Sequence, residues 1–135
     1  MKLKIIKYKQ APHWRLIDQD NNDQTLRYED HGLVASHIWG NRDQGMVARN
    51  TKKDLIDDCL AILIVLIHPR IPSLKFLRID KTLSGKQYLL KDRDNYVVIP
   101  HPTGRALPIE IRAKTRAAVV DQVLRVIAAY IEARN

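Results

Sequence analysis

The chain predicts an α+β fold: a mostly antiparallel sheet, with a meander in its second half, packed by a buried central helix and an amphipathic C-terminal helix. Three observations lead there. Short β-prone segments separated by turn residues occupy the N-terminal third and residues 74–112. A capped, apolar run from Thr51 to Ile67 reads as a helix. Val120, Val123, Leu124, Ile127 and Ile131 fall at i, i+3, i+4, i+7 and i+11, one helical stripe. The 135 residues, 45% hydrophobic and 28% charged, should form one domain, 1–135, because this balance supplies enough apolar surface for a core and argues against disorder.

Residues 2–9 read as an edge strand carrying lysines on both faces. Trp14–Asp18 and Thr25–Glu29 form a hairpin, because Gln19-Asp20-Asn21-Asn22-Asp23 is rich in residues that tolerate turn geometry. Val34–Trp39 is expected to be a further strand, ended by Gly40, and residues 40–50 a surface loop. Thr51 caps the central helix, with Asp54 answering the Thr51 amide. Pro69 disfavours helical geometry at His68 and ends the helix near Ile67. Four short strands then follow, Leu74–Ile79, Gln87–Leu90, Tyr96–Ile99 and Leu107–Arg112, joined by turns at 83–86, 92–95 and 101–104. Ile109 and Ile111 should face inward, with Glu110 and Arg112 outward. The last helix runs from Thr115 to about Ala133, and Ala117, Ala118, Ala128 and Ala129 offer room for a second helix to approach.

The apolar run Cys59 to Ile67 falls well short of the ~20 residues a membrane span needs. MKLKIIKYK lacks the apolar segment of a secretion signal. Cys59 stands alone, as a buried thiol would in a reducing compartment. An intracellular, soluble protein is expected.

The net charge of +8 is unevenly distributed. Lys2, Lys4, Lys7, Lys9 and Arg15 share residues 1–16 with no acid. Arg70, Lys75, Arg78, Lys81, Lys86, Lys91 and Arg93 crowd residues 69–93 against Asp80 and Asp92. Asp18, Asp20, Asp23, Glu29 and Asp30 separate the two blocks. A polarised basic surface meets polyanions. The leading expectation is therefore a non-enzymatic nucleic-acid-binding protein, without a cofactor. Its phosphate contacts come from Lys2, Lys4, Lys7, Lys9, Lys75, Arg78, Lys81, Lys86, Lys91 and Arg93. Tyr8, Trp14, Trp39, Tyr88 and Tyr96 are candidate platforms for unpaired bases. A second reading is a self-assembling, matrix-like basic protein, a homo-oligomer on an anionic membrane or a nucleoprotein.

Phosphate-cradling glycine loops, the GxSxG elbow, CxxC and HExxH are all absent, and His13, His31, His37, His68 and His101 are scattered. One catalytic constellation stands out. Asp94 precedes a strand, and the next strand reads Leu107-Pro-Ile-Glu110-Ile-Arg112-Ala-Lys114. This order resembles the core of the PD-(D/E)xK metal-dependent nucleases. The resemblance implies Mg²⁺ held by Asp94 and Glu110, with a cation beside it. Arg112 stands where the family has lysine, and Lys114 lies two residues on. Arg112 cannot readily give up its proton, so the exchange changes the chemistry.

Overall fold

A computed structural model describes residues 1–33 and 45–134. Its first sheet is built on β2 (Trp14–Asp18). β1 (Leu3–Lys7) pairs antiparallel along one edge, in register from Leu3 opposite Asp18 to Lys7 opposite Trp14. β3 (Gln24–Thr25) and β4 (Ala48–Arg49) also pair with β2, β3 at its C-terminal end and β4 at its N-terminal end. The 19–23 turn works as its composition suggests, with Asn22 and Asp23 at φ of 53° and 55°. The expected strand 25–29 ends early: Tyr28–His31 is a 3-10 turn closed by Gly32 in left-handed geometry. The strand expected at Val34–Trp39 lies outside the described residues. Part of the expected 40–50 loop is not loop, because Ala48 and Arg49 pair with Arg15 and Trp14.

Helix α1 (Lys52–Ile67) starts where the sequence says it should, with Thr51 Oγ1 accepting from the Asp54 amide at 3.2 Å. The Asp54 carboxylate pairs with Arg49, 3.7 Å away. The helix ends at Ile67, yet His68 keeps helical dihedrals, and the chain turns off through amides of Arg70 and Ile71 bonded to the Ile67 carbonyl. Every residue from Ile62 to Ile67 is buried, as an apolar-all-round helix requires.

The second sheet comprises β5 (Arg78–Lys81), β6 (Tyr88–Asp92), β7 (Asn95–Tyr96) and β10 (Arg112–Ala113), and β8 (Val98–Ile99) pairs separately with β9 (Ile109–Glu110). Every pairing is antiparallel. Three strand expectations need correction. Leu74 belongs to a turn, its amide bonded to the Ile71 carbonyl, so the first strand begins at Arg78. Tyr96–Ile99 is two strands, because the chain leaves β6 after Val97 and takes β9 as its partner. Leu107 is 86% exposed, and pairing starts only at Ile109, after Pro108, which has no amide to donate. The alternation on that segment holds: Ile111 is fully buried while Glu110 and Arg112 are exposed.

Helix α2 (Arg116–Arg134) ties the sheets together, contacting β1 of the first and β5, β6 and β10 of the second, as well as α1. Its predicted stripe is buried throughout. Leu3, Leu16, Leu63, Leu90, Ile111 and Ile127 belong to one continuous core. No helix among the described residues is long and apolar enough to cross a membrane.

Candidate nucleic-acid interface

Because α2 spans both sheets, β1 and β5 are brought to the same side of the helix pair. A groove opens there, made of two adjoining depressions of about 440 and 420 Å³. Lys52, Ile56 and Arg116 border both. Lys4 and Ile5 of β1 close one end, and Lys53, Arg78 and Ile79 the other. The floor is apolar and the rim carries Lys4, Lys52, Lys53, Arg78 and Arg116 against Asp57 and Asp121. The excess of cations over carboxylates on low-dielectric walls concentrates a positive field in the cleft.

The rim cations are not equally available. Lys53 pairs with Asp57 at 3.3 Å, one turn on. Arg78 lies 3.6 Å from Asp80 and 3.8 Å from Asp94. Arg116 donates to the Ile79 carbonyl at 3.3 Å, which satisfies one donor and leaves its charge uncompensated. Lys4, Lys52 and Arg116 form no ion pair among the described residues.

Aromatic rings extend the cationic strip at both ends. The ammonium groups of Lys7 and Lys52 lie 5.7 and 5.5 Å from the Trp14 ring centre. Lys81 and Arg116 lie 5.8 and 5.4 Å from that of Tyr88. Such contacts hold a flexible cation in place for about 0.5–1 kcal/mol at exposed sites.

Of the cations singled out in the sequence, Lys4 and Arg78 line the groove, and Lys7 and Lys81 flank it on the two rings. Lys2 borders a separate depression with Lys4 and Arg125. Lys75 borders another, beside Phe76. Lys9 is exposed beyond β1, Lys86 sits at the 83–86 turn, and Arg93 takes a left-handed conformation in the turn after β6. Lys91 is only 18% exposed and faces Asp80 at 3.7 Å. The Lys81 amide, then the charges of Lys91 and Arg78, hold the Asp80 carboxyl below its ordinary pKa.

The sequence reading passed over Lys52, Lys53 and Arg116. One local signal marks two of them: Lys52 and Arg116 are the first residues of their helices, at the positive end of the dipole where acids are favoured. The first turn of α2 holds no acid at all.

The residues of the nuclease-like constellation stand on separate elements, although Glu110 of β9 and Arg112 of β10 both act on Tyr96. Asp94 is fully exposed in the turn after β6 and reaches Arg78 on β5. Glu110 pairs across to Val98, and Arg112 lies over the Tyr96 ring at 5.3 Å with its backbone tied to Gln122. Lys114 is exposed just beyond β10. No group of three or more His, Cys, Asp or Glu side chains among the described residues is placed to hold a metal ion.

The chain matches no protein-family model, no curated protein and no solved structure.

Proposed function

We propose that the protein binds nucleic acid without transforming it, through phosphate contacts along the groove between the starts of α1 and α2. The observation that carries this reading is the meeting of cations from both basic blocks, Lys4 and Arg78, on a rim completed by Lys52 and Arg116. Lys4, Lys52 and Arg116, without an ion pair among the described residues, stand over an apolar floor and favour a ligand that brings closely spaced negative charge. Lys7 and Lys81 lengthen the strip beyond the groove.

The test is a salt series with labelled DNA and RNA, read by fluorescence anisotropy. The reading predicts binding that weakens with a log–log slope of roughly −3 to −4.5, the signature of about four to five phosphate contacts. Absence of binding near 100 mM salt, with retention on vesicles of anionic lipid, would replace nucleic acid by a membrane surface as the partner.

A further inference from the structure

We propose that the groove's ligand is a double helix, held by its phosphates, and not an unpaired strand held by stacking of its bases. This rests on the nucleic-acid reading above and narrows it to a substrate class.

The first support is the state of the aromatic rings. Single-strand binders offer free aromatic faces, and base stacking there contributes about 1–3 kcal/mol per base. Among the described residues, the rings that touch the groove's cations already serve them, and Phe76, 68% exposed, stands outside the groove beside Lys75. Trp14 has Lys7 and Lys52 against it, and Tyr88 has Lys81 and Arg116. Tyr8 has Arg15 at 4.4 Å, and Tyr96 has Arg112. Trp14 and Tyr88 are also half-buried and packed against the core. A base stacking on either ring competes with the cations already against it.

The second support is the rigidity of the cation array. Lys4 stands on β1, Arg78 on β5, Lys52 on α1 and Arg116 on α2, and all four elements contribute to one core. Cations whose backbone positions are fixed by one core suit charges that are themselves fixed in space. A duplex supplies such a lattice, with one charge per ~1.7 Å of axis, whereas a single strand must first be ordered. Arg and Lys contacts to phosphate position a duplex without reading its sequence.

The experiment compares the intact protein on a 20-base-pair duplex, as DNA and as RNA, with each of its separated strands at the same salt. The inference predicts that one of the duplexes binds at least about tenfold more tightly than either strand, with a slope near −0.9 per contact. It also predicts that Tyr88→Leu changes single-strand and duplex affinity by the same small factor. Equal or tighter binding of the strands, or a loss in Tyr88→Leu confined to them, overturns the duplex assignment and leaves nucleic-acid binding standing. No binding to any of these probes overturns both.

Discussion

Lys52 and Arg116 are the first residues of the two helices, and their side chains border the same groove. Each places positive charge at the positive end of a helix, which costs stability by itself. Rules of local stability are broken most often where a site needs them broken.

That cost is measurable at Lys52. Exchange for glutamate should gain about 0.3–1 kcal/mol at the helix start. It also loses the contact with the Trp14 ring, worth about 0.5–1 kcal/mol. Lys52→Glu should therefore unfold in urea within about 1 kcal/mol of the parent while binding nucleic acid more weakly. A large loss of stability would show that Lys52 serves packing.

Asp80 shields two of the cations near the groove, Arg78 and Lys91. Asp80→Asn should free Lys91, leave Arg78 with Asp94 alone, and tighten nucleic-acid binding by about threefold at low salt, fading as screening grows. The folded-state pKa of Asp80 lies below its unfolded value. Its contribution to stability is thus fully present above about pH 4 and lost only as pH falls further. Melting curves of parent and variant should differ equally at pH 7 and pH 5, and converge toward pH 3.

Asp58 holds the base of α1 to the first sheet. It is 6% exposed, accepts from Arg49 at 2.9 and 3.1 Å, and accepts from the Tyr28 hydroxyl at 3.2 Å. Asp58→Ala strips a partly buried guanidinium and a buried hydroxyl of this acceptor. The expected loss is about 2–4 kcal/mol in urea unfolding. An unchanged midpoint would mean that solvent replaces the carboxylate without penalty.

Thr51 supplies the cap of α1. Thr51→Ala should cost about 1 kcal/mol, and Thr51→Ser should restore most of it. A midpoint that does not move in the alanine variant would place the helix start elsewhere.

The helices were legible because their signals are local. The Thr51 cap and the Val120–Ile131 stripe are written in adjacent turns, and both stand as predicted. The second sheet was legible only in outline. β7 to β10 are two residues each, too short for any periodicity, and Val97 and Ile111 separate pairings that depend on which strand lies alongside. The charge blocks were legible as blocks, but not that Lys91 faces Asp80 or that Lys86, in its expected turn, does not border the groove. Lys52 and Arg116 escaped notice because each stands outside the dense runs and gains its meaning from a long-range crossing of two helices. The Tyr28–Asp58–Arg49 network was equally hidden, since its members come from three separated segments.

The central claim is that the groove, more than the general positive charge, holds the ligand. The decisive measurement is the affinity of the double variant Lys52→Glu/Arg116→Glu for a labelled duplex at 100 mM salt, beside Lys9→Glu/Lys86→Glu, which makes the same change in net charge outside the groove. The groove variant should lose about 100-fold or more while the control loses no more than about fivefold. Equal losses in the two variants would contradict the account, and so would an unchanged affinity in the first.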